Sequence, residues 1–384
     1  MPQLSRVCIL ANAIAAAVLA CASPQHHSPS LAQLALQKTL DDASPIFGDY
    51  NNVKSNTSTW MKAYPDHTPI VQMNLPGAHD AATWNYTLAT QQSLLHDTNL
   101  VNISEVDPRV SRCQSRPMID MLNDGLRVFD LRYAFDVTNS TLVFWHGMGL
   151  QSETASIDDV LFGYYQWLDD HPSEAVFLSL MYEGGTAPNA KDDAAVQTLL
   201  FNALTSPAAQ KYILQTKDTF AAGLLHRGAA WHSLFAYTMD KQCKQTLKHS
   251  PNITLVFNNK TDGTAFIEDL FQPAIATTAP SELSLTLKFN ATVAHLNLAA
   301  SNQHPNSMFW CFASSTNLFH NPPITPQMQA IGNGTLIPEG VNQMLIPVFK
   351  QLAGKRLGIV MFDFYETPTN LISTFLEVNP PPRH

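Results

Sequence analysis

The chain has 384 residues, of which 45% are hydrophobic and 14% are charged, and its formal net charge at pH 7 is −9. This length and apolar content suit one or two globular domains with a large core. The negative charge and the lack of a basic stripe argue against a nucleic-acid partner. They also provide no attraction to anionic lipid, so any membrane contact must be apolar and local.

The first 22 residues have the pattern of a secretory signal peptide. Arg6 supplies the positive end, and residues 7–20 form an apolar stretch too short to span a bilayer comfortably. Asn-x-Ser/Thr sequons are about twice as frequent as composition alone predicts. We therefore expect a secreted, N-glycosylated eukaryotic protein. The sequons lie at Asn56, Asn85, Asn102, Asn139, Asn252, Asn259, Asn290 and Asn333.

Residues 23–60 are rich in polar residues and proline, with a weak helical stretch near 31–41, and we interpret them as an irregular spacer. Strand-like and helix-like segments then alternate. TPIVQMNL (68–75) is a predicted strand, followed by a Pro-Gly turn. MIDMLND is a predicted helix that Pro117 opens and Gly125 ends. LRVFDLRYAF (126–135) and TLVFWHG (141–147) are the next predicted strands. In the first of them, Asp130 and Arg132 alternate in step with Val128, so we expect all three to point to one face.

Ser156 begins SIDD, which has the spacing of a capping box and opens a predicted helix. AVFLSLMY (175–182) is a predicted strand, and a helix ended by Gly354 precedes the buried strand RLGIVMFDF (356–364). The middle, about 205–285, is less readable, although ITLVF is strand-like. Helices that alternate with nearly continuous apolar strands predict a parallel sheet covered by helices, as a (β/α) barrel or a doubly wound sheet.

The cysteines leave the disulfide state open. Cys8 and Cys21 depart with the predicted signal peptide, and Cys113, Cys243 and Cys311 remain. One disulfide plus one free thiol allows three pairings. No CxxC motif or metal-type Cys/His spacing occurs in the sequence.

Chemically active side chains follow the predicted strands, where a parallel barrel gathers its functional groups. Two histidines and an arginine suit in-line displacement at phosphorus. One histidine takes the proton of the attacking hydroxyl, and the other protonates the leaving oxygen. The guanidinium stabilises the charge that develops on the phosphoryl oxygens, and a carboxylate orients the base. The residues concerned are His79, Asp80, Asp130, Arg132, His146, Glu183 and Asp363.

LPGAHDAATW, GLRVFDLRYAF and LVFWHGM, in this order, resemble the X domain of phosphatidylinositol-specific phospholipase C. GKRLGIVMFDF is similar to the closing strand of that domain. HPNSMFWCFASS and residues 332–364 are similar to the secreted fungal branch of phospholipase-C-like phosphodiesterases. The resemblance is strongest over 70–183 and fair over 290–371. It implies a distorted (β/α) TIM barrel over 61–376, with 377–384 as a disordered tail.

The resemblance also implies the roles of the catalytic residues. His79 is the expected general base on the inositol 2-hydroxyl, and His146 is the expected general acid for the diacylglycerol oxygen. Asp363 is expected to orient His79. Arg132 stands where calcium-dependent relatives keep a metal carboxylate, which implies a site that needs no metal or other cofactor. The expected partner is a phospholipid or another phosphodiester, with transient membrane contact.

Asp80, Asp130 and Glu183 are expected to bind the substrate or to complete the hydrogen-bond network. Met181 departs from the family, which often has Lys or Glu at that position. The middle also diverges after Arg227-Gly228, so no site residue is assigned between 184 and 350.

Two other functions stay open from the sequence. One is a metal-dependent, sphingomyelinase-D-like phosphodiesterase that holds a cation with Asp80, Asp130 and Glu183. The other is a secreted binding protein on a catalytically degenerate barrel, which Met181 and the divergent middle favour. Single residues also have structural alternatives: Arg132 as an ion-pair partner of Asp130, and Asp363 as a helix cap.

Overall fold

The structure is a computed structural model that describes residues 28–65, 68–100, 106–183, 193–213 and 265–379, together with the backbone of 233–238. The predicted signal peptide, ITLVF, Cys243 and Arg227-Gly228 lie outside the described residues. No helix in the described part of the chain is both long and apolar enough to cross a membrane.

The described strands form one strongly curled sheet. Parallel pairing runs through the order β6-β5-β2-β1-β9-β8-β7. This is a mixed α/β fold built on a barrel-like parallel sheet, as the sequence predicts. The strands are β1 Leu75–Ala78, β2 Val128–Phe135, β3 Leu142–His146, β4 Gly149–Leu150, β5 Ala175–Tyr182, β6 Ser233–Thr238, β7 Ala265–Glu268, β8 Met308–Phe312 and β9 Ile359–Phe362.

Strand β3 differs from the others because it is antiparallel to β2. Tyr133 of β2 pairs with Tyr182 of β5 and with Phe144 of β3, so β3 and β5 occupy opposite edges of β2. β1 also pairs on the edge opposite β5, next to Val128. β3 therefore lies on the same edge of β2 as β1, beyond the carboxyl end of β1. Because β3 runs antiparallel to β2, its last residue, His146, lies near the end of β1.

Helices cover the outside of the sheet. Their apolar faces pack on it, and in α4 one face is buried that consists of Val160, Leu161, Tyr164, Trp167 and Leu168. The predicted capping box of α4 is present, with Ser156 and Asp159 each bonding to the other's backbone. The helices are α1 Leu31–Phe47, α2 Leu88–Leu94, α3 Met118–Asp124, α4 Ile157–Asp170, α5 Ala194–Thr205, α6 Pro207–Tyr212, α7 Ser281–Ala300, α8 Pro326–Ile331, α9 Val341–Gln351 and α10 Leu371–Glu377.

The inside of the barrel has its own apolar cluster, which includes Val128, Phe177 and Met361. Side chains two residues apart on a strand share a face. Asp130 and Arg132 therefore point to the same interior side as Val128, beyond the apolar filling. This placement agrees with the alternation predicted from the sequence. Both charged groups therefore lie at the carboxyl end of the barrel.

The first strand was predicted in the wrong place. Residues 70–72 form a 3-10 turn, and β1 is Leu75–Ala78, so the Pro-Gly pair lies inside the strand and not in a turn. A Cβ on Gly77 would fall 2.8 Å from Val128 Cβ and even closer to Met361 Sδ. Glycine therefore lets three strands approach closely just before His79.

The two ends of the chain are more regular than expected. Helix α1 confirms the helical stretch near 31–41 and extends it to Phe47. It packs against α4 and buries Ile46 and Phe47, so this part of 23–60 is not an irregular spacer. The predicted tail begins too early, because Val378 and Asn379 are buried. Asn379 Oδ1 accepts a hydrogen bond from Asn74 N at 2.8 Å, which ties this end to the start of β1.

Candidate active site

A cavity of about 290 Å³ opens at the carboxyl ends of the parallel strands. It collects residues from the ends of β1, β2, β3, β5 and β9 and from the loops after β7 and β8. Both predicted catalytic histidines, Arg132 and Asp363 are among its lining residues. The lining consists of His79, Cys113, Arg132, His146, Met181, Asp269, Phe271, Ser314, Ser315, Thr316, Pro326 and Asp363.

His79 is held on all sides. Its N–H donates to Phe362 O at 3.0 Å, and its carbonyl accepts from Gln114 Nε2 at 2.7 Å. The ring Nδ1 lies 2.8 Å from Asp363 Oδ1. Burial disfavours the charged ring, but Asp363 outweighs burial and raises the pKa of His79 above its ordinary value. This is the geometry of an imidazole oriented by a carboxylate.

Arg132 faces the other nitrogen of the same ring, with Nη2 at 2.7 Å from His79 Nε2. A guanidinium only donates hydrogen bonds, so Nε2 accepts and the ring proton stays on Nδ1, towards Asp363. That is the tautomer a general base needs. Burial opposes the charge of Arg132, yet Asp80 and Asp130 raise its pKa well above the usual value.

His146 has a carboxylate of its own. Its Nδ1 lies 3.0 Å from Asp80 Oδ2 and 3.0 Å from the carbonyl oxygen of Ser111. Burial disfavours the imidazolium form, but Asp80 outweighs it and raises the pKa of His146 to about 8. His146 is therefore largely protonated at neutral pH, which suits a general acid.

Asp80 and Asp130 lie beneath the cavity and do not line it. Their side chains are 0% and 2% exposed. Asp130 Oδ2 accepts from Arg132 Nε at 3.2 Å, and Asp80 Oδ2 lies 3.5 Å from the same nitrogen. Burial alone would raise the pKa of Asp80, but Arg132 and His146 lower it to about 2. The expectation that these two carboxylates contact the substrate does not fit their burial, and we assign them to positioning.

Glu183 supports the turn that presents His146. Its Oε1 accepts from Gly147 N at 2.7 Å, and its Oε2 lies 3.9 Å from Arg132 Nη1. Gly147 has a φ of 56°, a conformation that glycine adopts without strain. Glu183 thus links the turn after β3 to the guanidinium.

The two histidine rings stand 6.5 Å apart between centroids, at an angle of 87°. Each has a buried carboxylate behind it, and Arg132 contacts the first ring directly. A tetrahedral phosphoryl group between the rings would have a base, an acid and a fixed positive charge within reach. The structure therefore brings together His79, His146, Arg132 and Asp363 as the sequence predicts.

Several residues of the cavity were missed. Asp269 and Phe271 follow β7, and residues 314–316 follow β8, all within the range where no site residue was assigned. The rule that functional groups follow parallel strands could have found them. Cys113 and Gln114 gave no signal in the sequence, because they precede a helix and reach the site only through folding. Cys113 and Cys311 carry free thiols and do not pair with each other.

The carboxylate of Asp80 provides a test of the electrostatics. We expect Asp80→Asn to lower the pKa of His146 by roughly 1 unit or more, because the main opposite charge is lost. The alkaline limb of kcat/KM then moves to lower pH. A nuclear magnetic resonance titration of the His146 ring measures the same shift without turnover. Glu183→Gln is the control with a smaller shift, and an unchanged His146 pKa in Asp80→Asn would contradict this electrostatic coupling.

No protein-family profile matches the chain, and curated proteins with related sequences match part of it. Human PI-PLC X domain-containing protein 1 is 26% identical over 135 residues, which cover 31% of this chain and 40% of that protein. The 1-phosphatidylinositol phosphodiesterase of Listeria monocytogenes is 24% identical over 144 residues, or 38% of each chain. The chain thus spans about two fifths of the length of these curated relatives.

Solved structures extend the similarity over most of the chain. Phosphatidylinositol-specific phospholipase C from Listeria monocytogenes has a TM-score of 0.60 at 18% identity, over 84% of this chain and 98% of that chain. The enzyme from Staphylococcus aureus has a TM-score of 0.61 at 13% identity, over 84% and 97%. The fold is that of phosphatidylinositol-specific phospholipase C. The curated relatives add a partial sequence similarity to proteins of the same kind.

Proposed function

We propose that this chain is a phosphodiesterase that cleaves phosphatidylinositol-like lipids with two histidines and without a metal ion. The observation that carries the proposal is the arrangement of the rings. His79 and His146 face one cavity, each with its own carboxylate, and Arg132 lies at hydrogen-bond distance from His79 Nε2.

The first step is an attack from within the substrate. Arg132 turns from His79 Nε2 to the phosphoryl oxygens when the substrate binds, which frees the lone pair of Nε2. His79 Nε2 then takes the proton of a hydroxyl next to the phosphodiester, and the hydroxyl oxygen bonds to phosphorus. Asp363 keeps the ring oriented and stabilises the imidazolium that forms. The product of this attack is a cyclic phosphate.

His146 completes the step as the leaving oxygen departs. It donates its proton to that oxygen, so diacylglycerol leaves as a neutral alcohol. Arg132 stabilises the negative charge that grows on the phosphoryl oxygens. Slow hydrolysis of the cyclic product follows through the same histidines with reversed roles.

The surroundings of the carboxylates support metal-free catalysis over the cation-dependent alternative. Asp80 and Asp130 both face the guanidinium of Arg132, at 3.5 and 3.2 Å. Glu183 accepts a backbone hydrogen bond from Gly147. A cation shared by these three carboxylates would compete with a permanent positive charge already among them.

We also propose secretion and N-glycosylation, which rest on the sequence. The sequon asparagines in the described residues all have exposed side chains, which supports access by a glycosylating enzyme. They are Asn56, Asn85, Asn139, Asn290 and Asn333. The fungal origin rests on the resemblance alone.

Lipid contact is proposed for two linked loops at the cavity mouth. Phe271 follows β7 and is 60% exposed, and Phe319 follows β8 and is 76% exposed. The loops are joined where Thr316 N donates to Phe271 O at 2.8 Å. The Staphylococcus aureus neighbour has been studied for its membrane binding. With a net charge of −9, this chain needs such apolar contacts to reach a bilayer.

We expect Phe319→Ser to weaken binding to phosphatidylcholine vesicles by roughly 10- to 100-fold, since burial of one Phe contributes about 1.5–3 kcal/mol. Sedimentation with sucrose-loaded vesicles measures the affinity. Leu34→Ser, which removes an exposed apolar residue from α1, is the matched control and should bind like wild type. Equal binding by wild type and Phe319→Ser would contradict a role for this loop.

The experiment for the proposed function is release of diacylglycerol from phosphatidylinositol micelles by purified protein in EDTA. Activity that survives EDTA supports the metal-free site. Activity only after addition of calcium or magnesium would move the function to the metal-dependent alternative. No activity from folded protein in either condition would favour another phosphodiester or a binding protein.

A further inference from the structure

We propose that Cys113, His146 and Asp80 form a binding site for a thiophilic divalent cation such as Zn²⁺ or Cd²⁺, and that occupation of this site switches the enzyme off. Binding of the ion stands on the geometry below. Inhibition rests on the proposed function, because it requires that His146 acts as the acid.

The ligand atoms already lie close together. His146 Nδ1 is 3.0 Å from Asp80 Oδ2 and 3.9 Å from Cys113 Sγ, and one ligand atom from each residue lies within 4.8 Å of the others. Tetrahedral zinc with Zn–S of about 2.3 Å and Zn–N of about 2.0 Å separates sulfur and nitrogen by about 3.5 Å. Small side-chain movements therefore suffice to close the site.

A second observation points to a missing ligand. Asp80 is fully buried, yet neither of its carboxylate oxygens has a well-oriented hydrogen bond within the described residues. Buried carboxylate oxygens are costly to leave without partners. A cation between Asp80, His146 and Cys113 would replace the 3.0 Å ion pair between Asp80 Oδ2 and His146 Nδ1 with direct metal bonds, and the Cys113 thiolate would supply a negative charge that offsets the nearby Arg132.

Cys113 could also join the neighbouring pair, His79 and Asp363. That pair already has a 2.8 Å hydrogen bond between His79 Nδ1 and Asp363 Oδ1, which an ion would have to break. On the other side, His146 Nδ1 and Asp80 Oδ2 lie 3.0 Å apart without a well-oriented hydrogen bond between them, and an ion would have to displace the bond from Nδ1 to Ser111 O. Because the carboxylate of Asp80 is held less well than that of Asp363, the geometry favours the His146 side.

Ligand chemistry decides which ions fit. A thiolate and an imidazole favour zinc and cadmium, whereas calcium and magnesium prefer oxygen ligands. On binding, the S–H bond of Cys113 breaks, its proton leaves to solvent, and sulfur donates an electron pair to the metal. Nδ1 of His146 also loses the proton that it shares with Ser111 O, this proton leaves to solvent, and the freed electron pair binds the metal, so the ring can no longer hold the second proton that a general acid must deliver.

The test uses the whole chain and needs no turnover. Cadmium is titrated into metal-free protein, and the ultraviolet absorption of the cadmium–thiolate bond is followed. Wild type should show a band that saturates at one ion per chain, and Cys113→Ser should lack it. Asp80→Asn should weaken binding by roughly 10- to 100-fold. Cys311→Ser is the matched control, because Cys311 is also buried and free and should leave the band intact.

A band that persists in Cys113→Ser, a band lost in Cys311→Ser, or no band in wild type would overturn the site. Thermal unfolding of each variant shows whether it is folded. Inhibition is measured separately: micromolar zinc should inhibit wild type, and Cys113→Ser should need about tenfold more zinc or beyond. A protein that binds cadmium but cleaves no lipid would refute the proposed function and leave the metal site standing. Equal zinc sensitivity of both proteins would refute the switch.

Discussion

Replacement of His146 by alanine is expected to slow cleavage of phosphatidylinositol by roughly 10²- to 10⁴-fold, the usual contribution of a general acid. The loss should depend on the leaving group. Diacylglycerol departs as a strongly basic alkoxide unless it is protonated, whereas p-nitrophenolate departs without a proton. With a p-nitrophenyl phosphodiester of inositol, the same variant should lose only about tenfold or less.

The control for this result is His79→Ala. Removal of the base slows attack on phosphorus whatever group leaves, so His79→Ala should lose activity on both substrates. The measurement is kcat/KM for each protein with each substrate, and the ratio of the two losses carries the conclusion. Equal losses for His146→Ala on both substrates would show that His146 is not the acid, and a leaving-group-dependent loss in His79→Ala would show that the roles are exchanged.

Arg132→Gln is expected to lower kcat/KM by roughly 10²- to 10³-fold, as removal of a charge-stabilising donor does in other sites. It should also destabilise the fold. Asp80 and Asp130 are buried against this guanidinium, and loss of one partner of a buried ion pair costs about 3–5 kcal/mol. Arg132→Lys keeps the charge but loses the fork of donors, so we expect a smaller activity loss in a more stable protein.

Arg127 provides a matched comparison at the other end of the barrel. It is fully buried, and its Nη2 pairs with Glu174 Oε2 at 2.7 Å, before β2 begins. Arg127→Lys should lower the melting temperature and leave kcat/KM of the folded protein near wild type. Thermal unfolding and kcat/KM together separate stability from catalysis. An Arg132→Gln variant that is destabilised but keeps full kcat/KM when folded would reduce Arg132 to a structural ion-pair partner.

The sequence was most informative where one strand carries the chemistry. In LRVFDLRYAF, the alternation of side chains was enough to place Asp130 and Arg132 on the barrel interior with Val128. His79, Asp363 and His146 each follow or end an apolar strand, so the fold also explains why these three residues line the same cavity. Near-continuous apolar strands that alternate with capped helices predicted the parallel sheet, and the resemblance to the phospholipase C X domain favoured a barrel over a doubly wound sheet.

Other features depend on tertiary packing and escaped the sequence. The antiparallel course of β3 is visible only from its pairing with Tyr133, yet it decides how His146 meets His79. The sequence predicts Gly77 to be a turn residue, and only its contacts with Val128 and Met361 show why glycine is needed inside a strand. Cys113 enters the site through a loop whose path no local pattern specifies. The burial of Asp80 likewise depends on neighbours distant in the chain.

The measurement we would make first is phosphorus nuclear magnetic resonance of the water-soluble product from phosphatidylinositol micelles, in EDTA, with wild type and His79→Ala. For wild type we expect a cyclic inositol phosphate that forms first and is later hydrolysed to the monophosphate, and for folded His79→Ala we expect neither. A wild-type protein that yields only the open monophosphate from the start, or a His79→Ala variant that still forms the cyclic product at the wild-type rate, would contradict the two-histidine mechanism.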